Sequence, residues 1–134
     1  METLFTKICR GIIPSTKLYE DEVCFVILDI NPVKKGHALV IAREPYPSMA
    51  ACPDEVLAHM IAVAKKIDAR QRAVLGNDGS NIIINNDPAS GQEVPHIHIH
   101  VIPRYTGDGR RHFQDHDSYA DGEMAEIGSK LKLC

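Results

Sequence analysis

The chain has 134 residues, 44% hydrophobic and 25% charged, which is the make-up of an ordinary globular protein of one domain and too little for two. A formal charge of −3 supplies no basic footprint for nucleic acid, and no apolar run approaches the roughly eighteen residues of a membrane helix. The four cysteines (Cys9, Cys24, Cys52 and Cys134) show no paired spacing, and the start of the chain lacks a signal-peptide pattern, so a reducing, cytoplasmic setting is expected.

In chain order, Leu4, Phe5 and Ile8 fall at the spacing of one face of a short helix, which Gly11 can stop. Lys17–Glu20 and Cys24–Asp29 read as two strands joined by the acidic turn Glu20-Asp21-Glu22; the second is nearly continuous in apolar residues and is expected to lie centrally. Asp29-Ile30-Asn31-Pro32 ends it with a turn, and His37–Ala42 is a third strand. From Pro53 to about Leu75, Val56, Leu57, Met60, Ile61, Ala64 and Ile67 make an apolar stripe at helical spacing. Pro53 suits the first helical position, Asp54 and Glu55 its positive first turn, and Gly76 its end. Asn81–Ile84 is a further strand, Asn85 to Gln92 a loop, and Ala120 to Leu133 a terminal helix with Met124, Ile127 and Leu131 on one side. His112 and His116 lie in a polar, irregular stretch and read as surface residues.

The most informative stretch is Gly91 to Pro103. His96, His98 and His100 alternate with Ile97, Ile99 and Val101, the period-two signature of a half-buried strand. Pro95 and Pro103 are expected to bracket it, because a proline donates no ladder hydrogen bond. Neighbouring imidazoles then stand about 6.6 Å apart along one face. Three readings are open. The face is merely solvated; or two of the histidines bind Zn²⁺ with a third ligand from elsewhere, since all three cannot reach one ion; or one imidazole attacks an electrophile while its neighbours orient it and stabilise charge. The loop preceding the strand forms the tip of a hairpin, a usual position for binding groups.

The run His96-Ile97-His98-Ile99-His100-Val101-Ile102 resembles the signature of the histidine triad (HIT) superfamily. The likeness extends to L-F-T-K-I near the start, I-P-S at 13–15, D-I-N-P at 29–32, G-H-A-L-V-I at 36–41 and N-N-D-P-A-S-G-Q-E-V-P at 85–95. These blocks cover residues 3 to about 105, leaving 106–134 as a C-terminal extension of a single domain. The fold implied is α+β and HIT-like: a mainly antiparallel sheet of about five strands, one long helix, and short N- and C-terminal helices.

The resemblance implies a purine-nucleotide-binding hydrolase acting on nucleoside 5′-phosphate derivatives: phosphoramidates, acyl-nucleotides or dinucleoside polyphosphates. It would work through a covalent nucleotidyl-His98 intermediate and release AMP or GMP. His98 maps to the nucleophile, with a backbone carbonyl expected at its Nδ1–H so that Nε2 is left to attack. His100 maps to a donor for a phosphate oxygen, His96 to a residue holding the cluster, and His37 to an outlying fourth histidine. Gln92 would lie near the leaving group and the attacking water. Asn85, Gln92 and the backbone of Gly91, Glu93 and Val94 are the candidate phosphate donors. Asp29 would take the ribose hydroxyls, and Leu4, Phe5, Ile8, Ile27 and Ile30 would wall the base pocket.

Glu93 after the Gly-Gln pair is similar to the prokaryotic branch, and a carboxylate there should repel phosphate unless it points away. Many prokaryotic members carry N-terminal cysteines that help to hold a structural zinc; Thr3 and Thr6 stand in that neighbourhood here and Cys9 stands alone, so no metal and no cofactor is expected. His100, where the uridylyltransferase branch has Gln, argues against that branch, and the chain is too short for the aprataxin-like arrangement. A homodimer is implied by the family alone. The rival reading is a nucleotide-binding regulatory module with vestigial turnover.

Overall fold

The computed structural model describes residues 2–109 and 116–133. Its elements are α1 (Leu4–Cys9), β1 (Lys17–Glu20), β2 (Cys24–Leu28), β3 (Ala38–Ala42), α2 (Asp54–Leu75), β4 (Gly79–Ile83), β5 (His98–Arg104) and α3 (Glu123–Leu131). The strands form one antiparallel sheet in the order β1-β2-β3-β5-β4, the α+β architecture expected. Among the described residues no helix is long and apolar enough to cross a membrane.

Strand alternation sorts side chains to two faces. Along β2, Cys24, Val26 and Leu28 join Val40 of β3, Ile99 and Val101 of β5, and Met60, Val63 and Ile67 of α2 in the main core, with Leu131 of α3 at its edge. Phe25 and Ile27 point the other way and meet Leu39, Ile41 and α1 through Phe5 and Ile8. Both faces are therefore covered over β2 and β3, which explains the unbroken apolar run of β2. His98 and His100 are on the α1 face.

Four details depart from the sequence expectation. His96 and Ile97 precede the strand instead of opening it, and Pro103 lies inside it, paired with Ser80 of β4. The proline is tolerated because the β3 ladder ends at Val101, so one side of β5 asks nothing of its missing N–H. In α2, Ile61 is 45% exposed and Val63 is buried in its place. The stripe continues through a buried Gln71, whose side-chain amide donates to the carbonyls of Gly36 and Val101 at 2.9 and 3.0 Å. Finally, Pro53 sits just outside α2 as its N-cap residue. Gly76 closes the helix with φ of 67°, a left-handed backbone that glycine adopts without penalty.

Candidate active site

Each histidine of the cluster is fixed by a different part of the fold, and the hydrogen bonds determine which ring nitrogen carries the proton. His98 Nδ1–H donates to the carbonyl of His96 at 2.7 Å, so the neutral ring keeps its lone pair on Nε2. This bond requires His96 to leave the strand, since in regular β structure a side chain does not reach the carbonyl two residues back. His96 itself is fully buried. Its Nε2–H donates to the Ala42 carbonyl at 2.6 Å, and its Nδ1 accepts from the Thr3 hydroxyl at 2.7 Å. The Phe5 ring stands edge-on to both imidazoles, with centroids 5.5 Å from His96 and 4.9 Å from His98.

The other half of the cluster has the opposite polarity. The backbone N–H of Val33 donates to His37 Nδ1 at 3.0 Å, so the hydrogen of the neutral His37 ring lies on Nε2. His37 Nε2 is 2.9 Å from His100 Nδ1, which must accept. His100 therefore carries its hydrogen on Nε2, a donor beside His98, whose ring centroid is 5.0 Å away. One ring presents a lone pair and its neighbour a proton.

Burial holds all four rings neutral. The pKa values of His37 and His100 are pushed down to about 3, and those of His96 and His98 are lowered, in each case chiefly because burial penalises the charged form. The same effect raises that of the Asp29 carboxyl, with Glu93 adding to it and His116 opposing it. Asp29 Oδ1 accepts from the Asn31 N–H at 2.9 Å, and Oδ2 lies 3.7 Å from His37 Nε2.

His98 and His100 open on a cavity of about 590 Å³, of the size that small-molecule ligands occupy. Leu4, Phe5, Ile8, Ile27 and Ile30 form its apolar wall, Ile13, Pro14 and Leu39 extend it, and Asp29 stands on the same side. Asn85, Ser90, Gly91, Glu93 and Val94 line the rim. Gly91 has φ of 100° with open space where a Cβ would be, so the chain there is both left-handed and open to close approach. Glu93 is exposed at this rim.

Two expected residues differ from their sequence assignment. Gln92 does not line the cavity. Its Oε1 accepts from the Asp87 N–H at 2.7 Å and its Nε2 donates to the Pro47 carbonyl at 2.8 Å, so the amide braces the loop from behind. His116 is exposed, as expected of a surface residue, yet it lines the cavity and donates from Nδ1 to the Asn31 carbonyl at 2.9 Å. His112 lies outside the described residues. Sequence reading also missed the Thr3–His96 bond, because 93 positions separate the partners and no periodicity links them.

At the start of α1, Thr3 and Thr6 form a reciprocal cap: Thr6 N–H donates to Thr3 Oγ1 at 3.2 Å and Thr3 N–H to Thr6 Oγ1 at 2.7 Å. Hydroxyls so engaged are not the thiolate or imidazole ligands that zinc takes, so this position does not fit the structural zinc of prokaryotic members. On the cavity side, ligand atoms of Asp29, His37 and His100 lie within 4.8 Å of one another. The two imidazole nitrogens that meet at 2.9 Å share a proton, which an ion would have to displace.

A five-stranded antiparallel sheet with this histidine cluster over an apolar cavity defines a HIT domain, and a sequence model of the HIT domain matches residues 10–107. The chain belongs to the histidine triad family. It is 41% identical over 138 aligned residues to the adenylylsulfatase HINT3 of Arabidopsis thaliana, across 99% of this chain and 70% of that protein. It is 38% identical over 104 residues to the adenosine 5′-monophosphoramidase hnt1 of Schizosaccharomyces pombe, across 78% of this chain and 75% of that one. The fold matches that of a Zn-bound histidine triad family protein from Mycobacterium smegmatis with a TM-score of 0.86 at 38% identity, covering 98% of this chain and 91% of the other.

Proposed function

We propose that the protein hydrolyses nucleoside 5′-phosphate derivatives through a nucleotidyl-His98 intermediate, releasing AMP or GMP. The observation that carries this reading is the His98 Nδ1–H bond to the His96 carbonyl, which aims an Nε2 lone pair at a nucleotide-sized cavity. Adenylylsulfatase and monophosphoramidase relatives support the class, since both names describe cleavage at the phosphate of an adenosine 5′-phosphate derivative.

The purine lies against Leu4, Phe5, Ile8, Ile27 and Ile30, the ribose at Asp29, and the α-phosphate before His98 and His100. His98 Nε2 attacks phosphorus as the bond to the leaving group breaks, and the leaving group takes up a proton from solvent. The phosphorylated ring is cationic, and its remaining Nδ1–H points at the His96 carbonyl dipole, which stabilises that charge. His100 Nε2–H donates to a non-bridging oxygen, its orientation fixed through His37. Water then attacks the same phosphorus and gives up a proton to solvent, the P–N bond breaks, and neutral His98 returns with the nucleoside monophosphate. Dividing one displacement into two lowers each barrier. The Asn85 amide and the backbone at Gly91 and Val94 complete the phosphate contacts, while Gln92 shapes the loop that presents them. We expect this chemistry in the cytoplasm, from a homodimer.

Incubation with an α-labelled adenosine phosphoramidate followed by a denaturing quench tests the reading. Wild-type protein should retain label and His98→Ala should not; equal labelling of the two overturns it.

A further inference from the structure

His116 belongs to no recognised block of the sequence, yet the fold brings it 85 positions back to the Asn31 carbonyl at the cavity wall. The segment that carries it is fastened along the 29–37 loop. Asp117 N–H donates to the Pro32 carbonyl at 2.9 Å, Lys35 N–H to Asp117 Oδ2 at 3.2 Å, and Gly36 N–H to the Tyr119 hydroxyl at 2.9 Å. Lys35 Nζ reaches Glu123 of α3 at 3.1 Å. The strap is thus anchored on both sides of the loop that also holds Asp29.

The tautomer follows from the anchor. Nδ1 carries the hydrogen given to Asn31, so the neutral ring offers Nε2 as an acceptor. A ribose cis-diol brings two donors. Asp29 Oδ1 already accepts from the Asn31 N–H, which leaves Oδ2 as the better acceptor for one hydroxyl. His116 and Asp29 line the same cavity. Resting on the nucleotide reading given above, we infer that His116 Nε2 is the second ribose-hydroxyl acceptor, a specificity-determining contact supplied by the C-terminal strap that selects nucleotides with an intact ribose cis-diol.

The test crosses removal of the residue with removal of the hydroxyl. kcat/KM is measured on the full-length protein for an adenosine 5′-phosphoramidate and its 2′-deoxy and 3′-deoxy analogues, with wild type, His116→Ala and His116→Asn, and AMP binding is followed by calorimetry. Asn can keep the donor to the Asn31 carbonyl while lacking the Nε2 acceptor. Both variants should lose about tenfold on the ribose substrate, the worth of one such hydrogen bond. On one of the deoxy analogues, wild type and variants should be equal. Equal losses on all three substrates, no loss at all, or wild-type behaviour of His116→Asn overturn this inference while leaving turnover and AMP binding intact. Absence of both turnover and AMP binding in wild type overturns the nucleotide reading, and this inference with it.

Discussion

His37 Nε2 lies 2.9 Å from His100 Nδ1, and the Val33 N–H bond at 3.0 Å on the far side of the His37 ring gives that contact its direction. A backbone amide in a loop thereby decides which nitrogen of a histidine on the central sheet presents a proton to the cavity. His98 is set the opposite way by the carbonyl of His96. The pair works as acceptor and donor because two separate loops impose different tautomers.

Replacing His37 should therefore be felt at His100. His37→Ala removes the donor to His100 Nδ1 and leaves the buried Val33 N–H without its acceptor. We expect kcat to fall roughly 10- to 100-fold, the range for residues that orient a functional imidazole, and stability to fall by about 1–3 kcal/mol. Steady-state kinetics and urea denaturation check the two effects; an unchanged kcat would remove His37 from the mechanism.

Acid should destabilise the fold well above the carboxylate range. His37 and His100 have folded pKa values depressed to about 3, against an ordinary value near 6.5 in the unfolded chain. Above pH 6.5 neither state binds these protons, and the full stability is present. As pH falls from 6.5 towards 3 the unfolded chain takes up protons that the folded one refuses. Each buried ring then costs up to about 1.4 kcal/mol per pH unit. Urea midpoints at pH 7.5, 6.0 and 5.0 should decrease in that order; a flat series contradicts it. The lowered pKa of His98 has the same sign, so kcat/KM should keep its neutral-pH value to below pH 6.5.

Thr3 is predicted to matter more than its place near the chain start implies. Its hydroxyl donates to His96 Nδ1 and accepts from the Thr6 N–H. Thr3→Val keeps the shape and loses both bonds, and should cost about 1–3 kcal/mol by calorimetry. Thr3→Ser should retain most of the stability. Equal melting temperatures for the two variants would contradict the assignment.

Asp87 has φ of 70° and ψ of 157°, a backbone region that glycine almost alone adopts. Its N–H is tied to Gln92 Oε1, and its carbonyl accepts from Ser90 N–H and Oγ–H. Asp87→Gly relieves the strain and should stabilise the protein by about 1 kcal/mol. A fall in stability would show that the Asp side chain has a role of its own.

Much of this protein follows from short-range patterning. Turn residues and period-two or period-3.6 spacing act within a few positions, so α1, α2 and the strands were legible near their observed bounds. The alternating histidines, with the loop before them, marked the site. Local rules were weaker where neighbours in space decide. Pro103 sits inside β5 because β3 has already ended, and Gln71 is buried because two carbonyls await its amide.

The residue types at the cavity were written in the chain; of their states only the His98 tautomer, with its Nδ1–H on a backbone carbonyl, was expected. Which nitrogen of each imidazole holds a proton depends on Val33, Ala42 and the carbonyl of His96. That Gln92 turns away from the cavity depends on Pro47, and that His116 turns towards it depends on Asn31. Sequence, read through the family resemblance, marked four histidines and a carboxylate as one cluster, of which His98, His100 and Asp29 line the cavity while His37 and His96 are buried behind it. The His98 and His37 protons are set by partners two and four positions away, whereas tertiary structure decided those of His96 and His100, because hydrogen bonds over 54 to 93 positions are set by where the sheet and its loops meet.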